Sequence, residues 1–418
     1  MTSTRDAKSL TYDLEVVTKR RPEHSHLVEF IRPHPGLFLD GKLASSESNV
    51  AVGRKTEMGV EAILELWGPD RAQSEDLEDV VNQMIQPPYW LVRITVPAAQ
   101  EDTLQLAEAI ATHIAQRCEG VVYDPQAGSM VWPKVKFASP SRSSGSDRVR
   151  VVRLGWYSPS SQVSTSMART FLRTVGRLCP QALPVRFGTY HPLQGRLKTG
   201  EEQPFLDSVE EVIQKGRSEM LELRAKSPCF GGILWIPSRG DDTGKIQRAR
   251  DVHLALDFDG RIIESDSDWC EKLVVLFVEL ARNLKAFYAN GYVERGVFAS
   301  RRGLGYDGES EQYPTPAGRW KGIPSVPYWL SWFGDPYFPL VRGAPEGPEV
   351  FHFQDGVLVR LATKPQDLDG LQNTHLRLPP ELVSDMKLVV AETKYPSGVT
   401  VRQNRWEASP AKVVPNLD

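Results

Sequence analysis

A strand–helix–strand pattern between Tyr89 and Trp132 constrains the fold of this chain most strongly. The run YWLVRITV is rich in aromatic and β-branched residues, as strands are. EDTLQLAEAIATHIAQRC then spaces apolar residues as a helix does, and GVVYDPQAGSMVW predicts two strands around a Pro125–Gly128 turn. With the strand-like VEAILELW and helix-like SEDLEDVVNQMI before it, the order is β-α-β-α-β-β, which is typical of a compact split βαβ unit.

A similar alternation returns after a small, polar, Ser-rich stretch at residues 136–148, which predicts a linker or an exposed loop. VRVVRLGWY, LPVRFGTY, FGGILWIP and DVHLALDF read as strands. Helical spacing predicts one helix over SQVSTSMARTFLRTVGRLC and another from about Pro204 to Ala225.

A long apolar segment predicts the central helix of this second half. It runs from about Asp268 to Asn290 and is apolar around much of its circumference, so we expect Leu276 and Phe277 to be buried. GPEVFHFQDGVLVRLAT further on predicts a hairpin that turns at Asp355–Gly356.

These patterns predict an α+β fold of mixed, largely antiparallel sheets flanked by helices. Because the alternation occurs twice, two related α/β sandwich units are a further interpretation. The predicted organisation is an irregular N-terminal segment (1–54), an α+β unit (55–135), the linker (136–148), a larger α+β unit (149–404) and a tail (405–418).

Composition narrows the class of function. The formal net charge of −3 argues against a domain built mainly to grip nucleic acid, which would need a basic stripe. Such a stripe would have to come from Arg142, Arg148, Arg150, Lys245, Arg248 and Arg250. The four cysteines are widely spaced, which favours a reduced, cytoplasmic setting, and no segment is typical of a signal peptide or a membrane span.

Sequence motifs for nucleotide binding fit poorly. Gly303, Gly305 and Gly308 spell GxGxxG, but no helix pattern follows them. GDDTGKI is one residue short of a phosphate-binding loop and lacks its Ser or Thr. We therefore expect no cofactor.

One strand carries a candidate metal site. His253, Asp257 and Asp259 alternate along HLALDFDGR, so their side chains would point to one face and could hold a divalent ion. The alternative is turn chemistry, because both aspartates lie close to Gly260. A metal-dependent hydrolase or nuclease is thus the second hypothesis, and we favour no tightly held metal.

Two further polar residues lie in LPVRFGTYHPLQGR. Arg186 inside an apolar strand needs a carboxylate, a carbonyl or a bound anion, and a structural pair is favoured. His191 precedes a proline and would need a nucleophile that the sequence does not identify.

The densest aromatic segment, VPYWLSWFGDPYFPLVRG, is the candidate interface. Its anchors for a protein partner are Tyr328, Trp329, Trp332, Phe333, Asp335, Tyr337 and Arg342. We expect Trp329 and Phe333 to pack inward and Trp332 or Tyr337 to stay accessible beside the Gly303–Gly322 loop. The alternative is a cap that seals one end of a sheet.

The order of a central apolar helix (LFVELARNLKAFYANGYVERG), a Gly-rich loop, YWLSWFGDPY, a DGVLVRL strand and LPPEL resembles bacterial immunity proteins. Those proteins are encoded beside polymorphic or type VI secreted toxins. The resemblance covers about residues 270–385 and implies a cytoplasmic α+β protein that binds, and does not catalyse. It assigns no role to any single residue.

The leading hypothesis is therefore a bacterial toxin-neutralising or defence-associated protein, whose partner is another protein such as a cognate toxin. A nucleic-acid-binding defence component is the third hypothesis, although nucleic acid is not a favoured partner, and membranes are not expected partners.

Overall fold

The protein divides into two compact units. The computed structural model describes residues 12–43, 49–56, 59–96, 101–125, 129–134, 148–190, 192–198, 200–238, 251–300, 303–305, 320–341, 349–371, 374, 376, 378–394 and 400–415. Unit 1 comprises residues 1–146, 300–302 and 392–401, and unit 2 comprises residues 147–299, 303–391 and 402–418.

Unit 1 is a seven-stranded sheet with helices. Its elements are β1 (Tyr12–Thr18), α1 (His24–Ile31), β2 (Leu37–Gly41), β3 (Asn49–Thr56), β4 (Gly59–Ala72), α2 (Asp79–Met84), β5 (Tyr89–Val96), α3 (Glu101–Arg117), β6 (Gly120–Asp124) and β7 (Ser129–Trp132). The strand order is β2-β3-β4-β5-β1-β6-β7, and every neighbouring pair is antiparallel.

The N-terminal strand completes the core of unit 1. β1 lies between β5 and β6, so these two outer strands are parallel to each other and α3 connects them, which is a split βαβ arrangement. The prediction of an irregular segment over residues 1–54 is therefore wrong for the described part of that range. The strand YDLEVVT is short and follows a polar stretch, but Leu14 and Val16 have no exposed surface.

Unit 2 holds the larger sheet, and residues 300, 392–394 and 400–401 of the strands given next are counted in unit 1. Its elements are β8 (Arg148–Pro159), α4 (Thr165–Leu178), β9 (Arg186–Gly188), β10 (Gly195–Arg196), α5 (Gln203–Lys215), β11 (Glu219–Arg224), β12 (Cys229–Ile236), β13 (Asp251–Asp259), α6 (Gly260–Ser265), α7 (Ser267–Asn283), β14 (Tyr288–Ser300), β15 (Gly303–Gly305), β16 (Ile323–Pro324), β17 (Leu330–Gly334), α8 (Tyr337–Val341), β18 (Glu349–His352), β19 (Gly356–Arg360), α9 (Leu368–Leu371), β20 (Val383–Ser384), β21 (Met386–Lys394) and β22 (Thr400–Ala408).

The main sheet of unit 2 runs in the order β10-β9-β11-β12-β13-β8-β14-β17-β19-β18, and β15 pairs with β14. Its pairs are antiparallel where their direction is defined, whereas β16 and β20 form a small parallel pair. These sheets and helices confirm the predicted α+β class. The hairpins β6–β7 and β18–β19 confirm the antiparallel pairs predicted around Pro125–Gly128 and Asp355–Gly356.

The two sheets share one topology. The seven neighbouring strands β9-β11-β12-β13-β8-β14-β17, numbered by their order along the chain, read 2-3-4-5-1-6-7, as the strands of unit 1 do. A helix of 17 residues leads into the sixth strand in each case, α3 in unit 1 and α7 in unit 2. Unit 2 adds β10 at one end of this array and the hairpin β18–β19 at the other.

Three predicted boundaries are wrong. The helix predicted to reach Ala225 ends at Lys215, where Gly216 adopts a left-handed conformation, and β11 follows. The central helix ends at Asn283, and Tyr288 to Asn290 belong to β14. The tail predicted from residue 405 begins later, because β22 continues to Ala408.

The central helix α7 confirms the predicted burial, since Leu276 and Phe277 have no exposed surface. All four cysteines are buried and unbridged. No helix in the described part of the chain has the length and hydropathy to cross a bilayer.

Candidate functional site

The aromatic segment predicted as an interface lies inside unit 2. Five of its six aromatic residues are buried, namely Tyr328, Trp329, Trp332, Phe333 and Tyr337, and the sixth, Phe338, is half-buried. The expectation that Trp332 or Tyr337 stays accessible is therefore wrong. The reason is tertiary: β17 is an inner strand whose two edges pair with β14 and β19. Its rings pack against other rings, Phe333 against Tyr288 and Trp332 against Phe353.

The indole N–H groups of the two buried tryptophans of this segment donate hydrogen bonds to backbone carbonyls. Trp329 Nε1 donates to the Ala362 carbonyl at 2.8 Å, and Trp332 Nε1 donates to the Ala286 carbonyl at 3.2 Å. Tyr337 Oη accepts a 2.7 Å hydrogen bond from Trp320 Nε1. Asp335 is exposed at the turn. Arg342 lies outside the described residues, as does most of the Gly303–Gly322 loop.

The exposed surface of this region is formed by α7 and the hairpin β18–β19. At one end Arg360 binds Glu271 of α7 at 2.9 Å and Glu349 at 3.5 Å. At the other end Arg282 of α7 binds Asp355 at 3.0 Å. The two ion-pair sites lie about 16 Å apart along α7, from Glu271 to Arg282. Along β19, from Gly356 to Arg360, the corresponding distance is about 13 Å. The helix and the hairpin therefore run side by side, tied at both ends.

Two apolar side chains lie between these ties. Val275 is one turn after Glu271 on the stripe of α7 that also carries Arg282, and it is 49% exposed. Phe351 of β18 is 44% exposed. It lies two residues before Phe353, so both side chains lie on the same face of the strand. The Phe353 ring lies 5.6 Å from the Arg282 guanidinium of α7. We call Val275, Phe351 and strand β18 the edge patch.

The buried aromatics of β17 lie one strand away from the edge patch, because β19 separates β17 from β18. The Trp332 ring lies 5.5 Å from that of Phe353 and packs so closely on Gly356 that a Cβ there would come within 2.2 Å of it. The hairpin turn thus needs glycine for packing. The aromatic strand β17 and the edge strand β18 therefore belong to the same sheet, and the aromatic side chains of β17 are buried.

In the described part of the sheet, the outer side of β18 has no neighbouring strand, and we call it the open edge. Among the described strands, β18 pairs with β19 alone. Phe353 N–H donates to the Gly356 carbonyl at 2.9 Å, and hydrogen-bonded pairs alternate in an antiparallel ladder. The backbone N–H and C=O groups of Val350 and His352 are therefore directed away from β19, toward the open edge.

The two aspartates of the candidate metal site bind arginines. Asp257 accepts two hydrogen bonds from Arg153, at 2.5 and 2.9 Å. Asp259 caps α6 through the Arg261 N–H and binds the Arg261 guanidinium at 2.7 Å. Within the described residues, no three His, Cys, Asp or Glu side chains are arranged to hold a metal ion.

Arg186 is half-buried and donates to the Leu193 carbonyl at 2.6 Å, a structural role. His191 lies outside the described residues. Of the basic stripe, Arg150 pairs with Glu264 and Asp367, and Arg148 donates to the Gly296 carbonyl. Arg142, Lys245, Arg248 and Arg250 lie outside the described residues.

His253 belongs to a second feature, a buried polar cluster on the sheet face opposite α7. Its ring stacks on Tyr157 at a centroid distance of 4.5 Å, and only 1% of the residue is exposed. Burial, followed by the nearby Arg153 charge, lowers the pKa of His253 to about 3, so the ring is neutral. Neither ring nitrogen has a hydrogen-bond partner among the described residues.

Asn290 on β14 faces the same space. Burial raises the pKa of Tyr157 and of Tyr288, and the nearby Asn290 amide lowers both pKa values. Among the described residues, the amide atoms make no contact with hydrogen-bond geometry. Leaving such buried groups unpaired costs about 1–3 kcal/mol each. The cluster is thus a place where the protein itself supplies too few hydrogen bonds.

Sequence reasoning missed the main residues of both features. Val275 and Phe351 looked like ordinary members of a helix and a strand, and only their position at the sheet edge exposes them. Asn290 was assigned to the end of a helix. The signal that could have found the cluster is Gly155 within a strong strand pattern, because glycine inside a strand often marks close approach of other groups.

Comparisons with known proteins give little further guidance. No protein-family model matches the chain, and no curated protein matches its sequence. Among solved structures, a similar chain is the "Pseudomonas aeruginosa T6SS protein PA0821", with a TM-score of 0.33 and 13% sequence identity. The match covers 51% of this chain and 69% of that chain.

Proposed function

We propose that this chain is a binding protein that captures an extended segment of a partner protein at the edge patch, and that the partner is a toxin that it neutralises. The observation that carries the proposal is the exposed pair Phe351 and Val275 beside the open edge of β18. An open strand edge flanked by an apolar anchor is the arrangement used for β-strand addition.

Strand addition has a defined register here. A partner strand would bond the outward backbone groups of Val350 and His352. Its alternate side chains would then meet Phe351, and Val275 lies on α7 between the two ion pairs that join α7 to the hairpin. Main-chain hydrogen bonds would supply affinity, and this apolar contact would supply specificity.

The charges around the edge patch indicate the chemistry of the partner. Four acidic side chains border it, Glu271, Glu279, Glu349 and Asp355, against three arginines, Arg177, Arg282 and Arg360. All three arginines are already paired with these acids. The patch therefore favours a segment with Lys or Arg beside its apolar anchor, since complementary charge speeds association and rejects acidic segments.

The choice of a toxin as partner rests on the resemblance of residues 270–385 to bacterial immunity proteins. The edge patch lies within that range. Neutralisation by strand addition needs no catalytic group on this chain.

The test uses the proteins encoded by the genes on either side of this one. Each is purified and titrated against the chain by calorimetry, and growth is scored when the two are co-expressed. We expect one neighbour to bind and its toxicity to be suppressed. Phe351→Asp should weaken binding by about 30-fold or more, the effect of losing an interface anchor.

Two further variants separate strand addition from other modes. His352→Pro removes an outward N–H from an exposed edge position, where proline is tolerated, and should also weaken binding. Met220→Asp, at a 41% exposed apolar position near the other end of the sheet, is the matched control and should bind normally. Equal binding by wild type, Phe351→Asp and His352→Pro would show that the edge patch is not the interface.

A further inference from the structure

The sheet of unit 2 carries a buried hydrogen-bonding site that its own side chains leave incomplete. His253 on β13 and Asn290 on β14 flank β8, and Gly155 of β8 pairs with Asn290 across one ladder. Both side chains are at least nine-tenths buried, and in the part of the chain that the structure describes neither the imidazole nitrogens nor the amide atoms have a hydrogen-bond partner.

Gly155 brings these groups to one point. A Cβ at this position would lie 2.8 Å from Asn290 Oδ1 and 3.1 Å from His253 Nε2. The two atoms are therefore no more than about 6 Å apart, which is the span that one molecule covers with two ordinary hydrogen bonds. Because Gly155 has no side chain, the Asn290 amide and the His253 imidazole can converge over the strand, where a Cβ would come too close to both.

We propose that His253, Asn290 and Tyr157 form an internal hydration site over Gly155, in which one ordered water bridges His253 Nε2 and Asn290 Oδ1. A buried water with two to four polar partners is a regular structural component of proteins.

The chemistry of the groups selects water over other small occupants. A neutral imidazole offers one donor and one acceptor, and an amide and a phenol each offer both. Water can match either ring tautomer because it donates and accepts. A cation would repel the N–H donors, and an apolar molecule would leave every group unpaired. The Tyr157 hydroxyl, next to Asn290, is placed to be the third partner.

The site would join β13 to β14 through the water, across the intervening strand β8. These two strands are the ones that the α6–α7 connection links. The water would thus complete the hydrogen bonding of the polar face of the sheet, as the helices complete the apolar packing of the other face.

A crystal structure at a resolution that shows waters tests the proposal directly. We expect a density peak within hydrogen-bond distance of both His253 Nε2 and Asn290 Oδ1, without anomalous signal. Direct contact between the two side chains with no peak between them would overturn the proposal. So would a peak that anomalous scattering identifies as an ion.

A second test works in solution on the full chain. Oxygen-17 magnetic relaxation dispersion counts long-lived internal waters. We expect Asn290→Leu to lose one such water relative to wild type, whereas Asn283→Leu, at an exposed position, should lose none.

A second pair guards against a folding defect. Gly155→Ala fills the proposed site and should also lose one water, whereas a Cβ at Gly291 meets only the apolar Leu154 and Leu330, so Gly291→Ala should lose none. An unchanged water count in folded Asn290→Leu or Gly155→Ala protein would refute the site.

Discussion

At the scale of single residues, Arg153 holds the polar face of the unit 2 sheet together. Its guanidinium binds Asp257 through two hydrogen bonds and reaches Glu294 at 3.4 Å, and both carboxylates are buried. Removing one partner of a buried ion pair leaves the other charge buried without a partner and without water. Arg153→Met should therefore lower the free energy of unfolding by about 3–5 kcal/mol in a urea titration.

The matched control is a surface pair of the same type. Arg177 binds Glu279 at 3.1 Å, and its side chain is mostly exposed. Arg177→Met should cost less than about 1 kcal/mol, because water replaces the lost contact. Equal losses for the two variants would mean that the Arg153 network is no more than a surface feature.

His253 should make the stability of the protein depend on pH. Its folded pKa of about 3 lies below the ordinary histidine value, so between these two values the unfolded chain binds a proton that the folded chain does not. Stability should be complete above about pH 6.5 and fall below it, by up to about 1.4 kcal/mol per pH unit.

The measurement is the free energy of unfolding from pH 7.5 to pH 4, for wild type and for His253→Gln. The variant should lose part of the acid-side slope, whatever its stability at neutral pH. His352→Gln, at an exposed position, should keep the slope of the wild type. If His253→Gln also keeps it, the imidazole is accessible to protons in the folded state.

At the scale of elements, α7 has two distinct stripes. Phe277 packs against Trp156 at a ring distance of 5.9 Å and is buried, whereas Val275 is half-exposed on the edge patch. Phe277→Ala should cost about 3–5 kcal/mol, as cavity-forming substitutions in a core do. Val275→Ala should change thermal stability little. A large loss for Val275→Ala would place that side chain in the core and weaken the edge patch.

Periodicity predicted most elements but not where they end. Helical spacing identified α3, α4 and α7, and aromatic and β-branched runs identified β5, β8 and β13. The segment LKAFYAN continued the helical pattern, yet Lys285 turns to a positive φ and the chain enters β14. An apolar run has no period that separates a buried strand from a buried helix, so only pairing with β8 and β17 decided this boundary.

The same ambiguity affected the candidate site. Six closely spaced aromatics are equally consistent with a surface and with an interior strand, since both use large rings. Whether β17 is central or peripheral depends on which strands pair with it, and this is set by residues far apart in the chain. The exposed Phe351 lies in a predicted hairpin, but its exposure follows from β18 being the last strand of the sheet.

At the scale of the whole molecule, one strand order occurs twice, which supports the interpretation that the two units are related. The units differ at the ends of their sheets. In unit 1 the array stops at β7, whereas in unit 2 the hairpin β18–β19 follows β17. The edge patch is thus built on an addition to the shared topology, and this is where a function specific to unit 2 would arise.

Each unit also buries its own apolar core, and this leads to a prediction about unfolding. Leu14, Val16, Val92, Ile94 and Ala111 are among the core residues of unit 1, and Leu154, Trp156, Leu254 and Phe277 are among those of unit 2. Units with separate cores can unfold in separate steps, so calorimetry should resolve two transitions. A core substitution should then act on one of them: Ile94→Ala should lower only one melting temperature, and Phe277→Ala only the other. If either substitution shifts both transitions equally, or if wild type unfolds in one step with equal calorimetric and van't Hoff enthalpies, the two units form a single cooperative domain.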